Sequence, residues 1–298
     1  RDFLHSDVGV TYFNQGNRFN YGLQAYQQSS AFSAFASFNS IGFLRNTYRG
    51  FNAVAAYPFS KFARVELFSG VTWVEQDLLV DSFDGREFDR ETNDIGTFNY
   101  VQAGAALVFD NTVYGPLGPN SGSRSRFSVT ATANDFQFTN FFADHRRYFN
   151  ISPRTVLAWR LLGGASIGKD EQIFRLGGAY SYRGADFGEL IGPNFFVSNL
   201  EYRFPFLPFL PANYDFLSAA AFWDVGAAWG IDVPGFVSEE FQPFTSDNGF
   251  RLKDLQSAFG IGARLNIGYF LLQYDLAFPT DLQGFNKPVN LFSIGTYF

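Results

Sequence analysis

Hydrophobic and polar residues alternate with a period of two along much of the chain. In Ser123–Ala133 the odd-numbered positions are small or apolar, and the even-numbered positions are Arg, Ser or Thr. Similar alternation runs through Ala63–Trp73 and Leu255–Leu265. A period of two is typical of a β-strand whose two faces meet different surroundings. The pattern therefore predicts an all-β protein whose strands have one apolar face and one polar face.

Thirteen segments with strand-like patterns follow one another along the chain. They cover residues 5–13, 18–27, 48–58, 61–76, 97–110, 122–134, 140–150, 153–166, 193–205, 214–229, 254–267, 268–279 and 288–298. Short or proline-bearing connections alternate with mostly longer, more polar ones, such as Gln28–Thr47 and Asp77–Gly96. Bacterial outer-membrane barrels alternate short periplasmic turns with longer extracellular loops. We therefore predict a transmembrane antiparallel β-barrel.

The phase of the alternation also predicts which side chains face lipid. The apolar positions with polar sequence neighbours include Val65, Leu67, Val71, Leu107, Leu200, Ile261 and Leu272. Thirteen strands are an odd number, whereas single-chain bacterial barrels close with an even number. An open edge in lipid would leave backbone groups unpaired. We therefore expect residues 1–298 to form one barrel domain from which the first strands of the barrel are missing.

Composition narrows the range of functions. The 298 residues include 40 Phe and 29 Gly but no Cys and two His, and the formal net charge is −6. Without cysteines there is no disulfide framework, and two histidines are too few for a zinc cluster. A net negative charge does not provide the basic surface that binds nucleic acid. No apolar run is long enough for a transmembrane helix. We predict no enzyme activity, no cofactor, no metal and no nucleic-acid partner.

One glycine-rich segment resembles a known family. Phe174–Gly184 reads Phe-Arg-Leu-Gly-Gly-Ala-Tyr-Ser-Tyr-Arg-Gly and is similar to the sixth extracellular loop of the bacterial surface-antigen outer-membrane barrels, of the BamA, TamA and FhaC type. The central Arg183-Gly184 pair is intact, whereas Tyr182 and Ala185 replace the usual Val and the usual aromatic residue. Asn199–Pro205 and Phe222–Gly226 resemble the two strands that follow this loop in the family.

The carboxyl terminus shares a further feature with the family. The last eight residues end in Phe, like the recognition signal for outer-membrane insertion, which here comprises Phe292, Ile294, Tyr297 and Phe298. The resemblance spans roughly 98–298. Residues before that range fit the family only through the spacing of their predicted strands. It implies a sixteen-stranded barrel, with three strands and periplasmic domains expected before Arg1. It also implies an integral protein of the bacterial outer membrane with a periplasmic carboxyl terminus.

The resemblance suggests where a functional contact lies. It implies that the loop 167–192 folds into the lumen, where Arg183 can meet carboxylates on the polar faces of later strands. Glu201 and Asp224 lie on such faces by their alternation, so we expect Arg183 to pair with Asp224, Glu201 or both. Three glycines allow the backbone to turn tightly inside the lumen: Gly177, Gly178 and Gly184. The contact can be a latch with a role in transport or assembly, or a purely structural plug, and the sequence leaves both open.

The resemblance implies action in outer-membrane protein insertion or assembly, or in protein secretion. The mechanism it implies is weak pairing between the first and last strands, which would open to a client strand. Two alternatives stay open, a passive pore and a structural anchor subunit of a larger complex. Expected partners are outer-membrane lipid and lipopolysaccharide, together with protein clients or complex subunits.

Two smaller features have plain interpretations, His145–Arg147 as a lipid-headgroup contact and the acidic residues of 81–94 as a solvated loop without calcium.

Overall fold

The computed structural model describes residues 6–36, 40–83, 88–115, 118–206, 216–231, 241–246, 249–267 and 270–295. The chain divides into two compact units. The first comprises Arg1–Ala106 and Thr130–Thr139, and the second comprises Leu107–Val129 and Asn140–Phe298. Strands dominate both units, as the alternation predicts. Within the described residues, no helix is long and apolar enough to cross a membrane.

The first unit is an antiparallel sheet of long strands. Its strands are β1 (Val8–Asn14), β2 (Asn20–Ala36), β3 (Ser40–Pro58), β4 (Ala63–Phe83) and most of β5 (Phe88–Asp110). They are neighbours in the order of the sequence. β1 pairs with β2, β2 with β3 and β3 with β4, each in antiparallel orientation. Such sequential pairing is what short connections between antiparallel strands produce.

Two predicted loops of this unit are wrong. Most of Gln28–Thr47 and Asp77–Gly96 continues the flanking strands, with only 37–39 and 84–87 outside the described residues. Polar side chains pair across these extensions: Arg45 contacts Asp77 at 2.7 Å, and Ser29 contacts Thr47 at 3.4 Å. Apolar–polar alternation is interrupted in these extensions, whereas the backbone pairing of the sheet continues through them. The acidic residues of 81–94 that the structure describes consequently belong to β4 and β5.

The remaining strands lie in the second unit, apart from their residues within Thr130–Thr139, which belong to the first unit. They are β6 (Val113–Gly115), β7 (Gly118–Asn134), β8 (Phe138–Ser152), β9 (Thr155–Gly168), β10 (Phe174–Leu176), β11 (Leu190–Gly192), β12 (Asn194–Pro205), β13 (Leu217–Trp229), β14 (Phe244–Thr245), β15 (Arg251–Leu252), β16 (Gln256–Asn266), β17 (Leu271–Thr280) and β18 (Val289–Gly295). The main order is β7-β8-β9-β12-β13-β16-β17-β18, with β6 paired to β7 and two separate hairpins, β10-β11 and β14-β15. Among the described residues, the two main series contain thirteen strands, the number of predicted segments. The sixteen-strand total stays a prediction.

Alternation along the strands of the second unit separates a buried face from an exposed one. In β12 the side chains that face inward are Phe195, Val197, Asn199, Glu201 and Arg203. Their sequence neighbours, including Leu200 and Tyr202, are partly or well exposed. In β16, Ile261 is 61% exposed, as expected for a lipid-facing side chain. The inward face carries several charged groups, which bring the candidate site together.

Candidate functional site

The loop 167–192 begins and ends as a hairpin. β10 pairs with β11 through Phe174 opposite Gly192 and Leu176 opposite Leu190. Gly177 and Gly178 follow β10 with φ angles of 119° and 78°, a region that residues with a side chain rarely adopt. A Cβ on Gly177 would also overlap the carbonyl oxygen of Asp186. Both glycines are therefore required for the turn that follows β10.

An apolar cluster holds the loop against the buried face of the sheet. It includes Leu176, Tyr182, Ala185, Leu190, Val197 and Ala258. Tyr182 is fully buried, and its ring lies so close to Gly184 that a Cβ there would overlap it. Gly184 thus makes room for Tyr182, and both flank the arginine between them. Burial of this cluster contributes to holding the loop in place through the hydrophobic effect.

Arg183 donates hydrogen bonds to two carboxylates. Its Nε and Nη2 donate to the two carboxylate oxygens of Asp224 at 2.7 and 2.8 Å. Its Nη1 donates to Glu201 Oε2 at 2.5 Å, and its backbone N–H donates to Asp224 at 3.2 Å. The guanidinium carbon also lies 3.5 Å from the ring centroid of Phe222, a cation–π geometry. Two parallel hydrogen bonds to one carboxylate require the planar guanidinium of arginine, so lysine could not make the same contact.

The contact belongs to a larger buried charge network. Glu201 Oε1 accepts from Arg203 Nε at 2.7 Å, and Oε2 accepts from Arg264 Nη2 at 3.0 Å. Arg264 Nη1 in turn donates to Asp275 at 2.7 Å. Together with Arg183 and Asp224 these residues, here called the core network, supply three positive and three negative side chains, so the formal charges cancel. Such cancellation is what allows charges to remain buried.

Glycine 262 explains how Arg264 reaches Asp275. Gly262 lies directly opposite Asp275 in the register of β16 and β17. A Cβ at this position would overlap the carboxylate of Asp275 and lie 2.5 Å from Arg264 Nη1. The ion pair therefore crosses the sheet over a residue without a side chain. Sequence parity places Arg264 and Asp275 on the polar face, but it does not predict their joint contact with Glu201.

A second set of contacts fixes the backbone of the loop just before Arg183. Arg160 donates two hydrogen bonds to Asp144, at 3.1 and 2.9 Å, and a third from Nη1 to the carbonyl oxygen of Tyr180 at 2.8 Å. Asn199 donates to the carbonyl oxygen of Ser181 at 2.7 Å. Strands β8, β9 and β12 thus hold the loop through its main chain. Neither the alternation nor the glycine-rich motif predicts Asp144 or Asn199 as a loop contact.

Electrostatics favour a permanent positive charge on the loop. Burial opposes ionisation of Arg183, but the carboxylates of Asp224 and Glu201 outweigh it and raise the pKa of the guanidinium. Burial, followed by the negative charge of Asp224, raises the pKa of the Tyr182 hydroxyl well above its usual range. Arg183 is therefore charged, and Tyr182 neutral, at any physiological pH.

Other residues singled out from the sequence lie apart from this network. Arg146, interpreted as a lipid-headgroup contact, instead pairs with Asp144 at 2.6 Å. His145 Nδ1 lies 2.7 Å from Ser125 Oγ. In the described part of the chain no carboxylate bonds to His145, so the pair is not a catalytic triad. No cluster of three His, Asp or Glu side chains there could hold a metal ion.

The expected insertion signal is only partly visible. Phe292 and Ile294 lie in β18 with 67% and 57% of their surface exposed. Tyr297 and Phe298 lie outside the described residues. The exposed side chains fit an apolar outer surface, and their role as a signal stays a prediction.

Comparison with known proteins identifies related domains. A family model described as the Omp85 superfamily domain matches residues 4–298, including the earlier third of the chain. The structure of BamA from Haemophilus ducreyi lacking POTRA domains 1–3 is similar, with 14% identity and a TM-score of 0.63 over 97% of this chain and 67% of that one. CdiB from Acinetobacter baumannii has 16% identity and a TM-score of 0.58, over 98% of this chain and 51% of that one.

CdiB from Escherichia coli is also similar, with 11% identity and a TM-score of 0.54 over 97% of this chain. The chain spans about two thirds of the BamA structure and about half of each CdiB structure. A comparison with curated proteins found no match. At these identities the structural likeness shows a shared fold.

Proposed function

The chain belongs to the Omp85 superfamily, and we propose that it is the membrane barrel of a machine that handles protein clients. Barrels of this superfamily are bacterial outer-membrane proteins. In the proposal the barrel has sixteen strands and a periplasmic carboxyl terminus, and it inserts and assembles outer-membrane proteins or secretes a protein. Outer-membrane lipid and lipopolysaccharide surround it, and the core network faces its lumen.

The observation that carries this proposal is the burial of Arg183 between Asp224 and Glu201. The side chain of Arg183 is 2% exposed, and those of Asp224 and Glu201 are 0% and 2% exposed. Removing charges from water costs several kcal/mol per ion, so buried pairs are weak devices for stability alone. They are best attested as devices that select one arrangement of a structure. We therefore interpret Arg183 as a latch that fixes the loop in one position on the sheet.

The latch connects the loop to strands close to the carboxyl end of the sheet. Through Glu201, Asp224, Arg264 and Asp275 the loop is tied to β12, β13, β16 and β17. β18, the next strand, stands at the end of the strand order. A strand edge presents unpaired N–H and C=O groups that can pair with an incoming strand. In the proposed mechanism the latch holds the neighbouring strands in place while β18 and its edge engage the client.

Reconstitution of the complete protein in liposomes tests this function. Client insertion or translocation is measured beside ion conductance, with Arg183→Ala as the test variant. Arg124→Ala is the control, because Arg124 pairs with Asp110 at 3.6 Å in an exposed position. The proposal predicts client transfer by the wild type and the control, and loss of transfer in Arg183→Ala. Conductance without client transfer would favour a passive pore, and stoichiometric partners without client transfer would favour an anchor subunit.

A further inference from the structure

A tyrosine in the loop contacts the backbone of the last strand. The Tyr180 hydroxyl donates to the carbonyl oxygen of Ile294 at 2.8 Å, across 114 residues of sequence. Ile294 lies in β18, which pairs antiparallel with β17. The loop therefore reaches beyond the four strands of the core network to a fifth strand. This contact is separate from the carboxylates that hold Arg183.

Side chains of β9 and β12 hold the main chain of the loop at Tyr180 and Ser181. The carbonyl oxygen of Tyr180 accepts from Arg160, and that of Ser181 accepts from Asn199. Arg160 is itself fixed by Asp144. The main chain at Tyr180 is thus bound to β9, and at Ser181 to β12. If β18 moved away from the loop, the main chain at Tyr180 could not follow without breaking these bonds.

Gly295 lets the tyrosine ring lie on β18. The ideal Cβ position at Gly295 is 3.0 Å from Cζ and 3.3 Å from Cε1 of Tyr180, and it overlaps the hydroxyl oxygen. Any other residue at 295 would force the ring to move. The φ angle of Gly295 is not in the positive region, so an L-residue is compatible with the backbone there. The glycine is therefore required by the close approach of Tyr180 and not by the conformation of the strand.

We propose that Tyr180 is a positioning residue that clasps the carboxyl end of β18 to the loop. Rupture of this one hydrogen bond frees the Ile294 carbonyl and allows the end of the last strand to separate from the loop. The clasp couples the position of the loop to the mobility of β18. The proposal deepens the proposed function, because a client strand that engages β18 would have to open or bypass the clasp.

Hydrogen exchange of the complete protein in nanodiscs, without client, tests the clasp. Tyr180→Phe removes only the hydroxyl, and Gly295→Val displaces the ring while keeping a strand-compatible residue. The matched control is Tyr274→Phe, because the Tyr274 hydroxyl donates to Asn290 in β18 at 2.8 Å but belongs to β17 and not to the loop. Loss of one net hydrogen bond corresponds to roughly two- to tenfold faster opening. We expect that acceleration at residues 293–295 in both test variants and not in the control.

The pattern of exchange distinguishes a clasp from general stabilisation. Exchange in β12 and β13 should stay at the wild-type level in Tyr180→Phe. Unchanged exchange at 293–295 in Tyr180→Phe, or equal acceleration in β12, β13 and β18, would overturn the clasp, even if Gly295→Val failed to fold. Client transfer by the same variants is measured separately. Absence of transfer by the wild type would contradict the proposed function and leave the exchange result to decide the clasp.

Discussion

Asp224 accepts three hydrogen bonds from Arg183, two from the guanidinium and one from the backbone N–H. Because one of these bonds comes from the backbone, Asp224 fixes the main chain of the loop as well as the side chain of Arg183. The Nη1 of Arg183 donates to Glu201, which also accepts from Arg203 and Arg264. A change at Arg183 should consequently disturb both the position of the loop and the balance of charge on the inward face.

Arg183→Ala is expected to destabilise the protein by about 3–5 kcal/mol, because it leaves the buried carboxylate of Asp224 without the arginine that pairs with it. Urea unfolding in lipid measures this cost. Arg124→Ala, which breaks an exposed pair, should cost about 0–1 kcal/mol. Equal costs for the two variants would mean that the Arg183 pair is hydrated and weak.

Gly262→Ala tests the ion pair that crosses over the glycine. The added Cβ overlaps the carboxylate of Asp275 and should push it away from Arg264, with a cost of about 1–3 kcal/mol from overpacking. Gly284→Ala is the control, because a Cβ there meets no atom within 4 Å. Unfolding midpoints of the two variants give the comparison, and an unchanged midpoint for Gly262→Ala would show that Asp275 and Arg264 do not depend on this space.

Ile261→Arg tests the lipid-facing surface. Ile261 is 61% exposed on the apolar side of β16. An arginine near the middle of the bilayer should cost roughly 2–4 kcal/mol in a lipid refolding experiment. Ile261→Leu, which keeps the surface apolar, should be close to the wild type. If Ile261→Arg refolded as the wild type does, this face of β16 would be in contact with water and not with lipid.

Tyr182→Phe should change the dependence of stability on pH. The pKa of Tyr182 is raised above its unfolded value of 10.0, so the unfolded chain loses this proton first as the pH rises. Stability from Tyr182 is therefore complete below about pH 10 and is lost as the pH rises towards the folded pKa. Its hydroxyl has no hydrogen-bond partner in the described residues, so Phe should cost little at pH 7. Between pH 8 and 11 the free energy of unfolding should fall less in Tyr182→Phe than in the wild type. Identical pH dependence in the two proteins would mean that Tyr182 is exposed to water.

Much of the candidate site follows from alternation and one motif. The period of two places Glu201 and Asp224 on the inward face, and the resemblance of the glycine-rich segment points to Arg183. Alternation along a strand indicates which face a residue occupies, but it does not give the register between neighbouring strands. For that reason the contact of Arg264 with both Glu201 and Asp275 emerges only from the pairing of β16 with β17 and the space over Gly262.

Strand ends and distant contacts were less predictable. Hydropathy ends the second predicted strand at residue 27 and starts the third at residue 48, whereas β2 continues to Ala36 and β3 already begins at Ser40. The continuation depends on backbone pairing, which does not require apolar and polar residues to alternate. The bond between Tyr180 and Ile294 has no sequence signal either, because it joins a side chain to a carbonyl group 114 residues away.

The latch is tested most directly by a double-mutant cycle on the rate of client transfer, at equal amounts of folded protein. The variants are Arg183→Ala, Asp224→Ala and the double variant. Because the two residues form one buried unit, the account predicts that each single change abolishes most transfer and that the double variant is no slower than either one. Losses that multiply in the double variant, or a wild-type rate in Arg183→Ala, would contradict the latch.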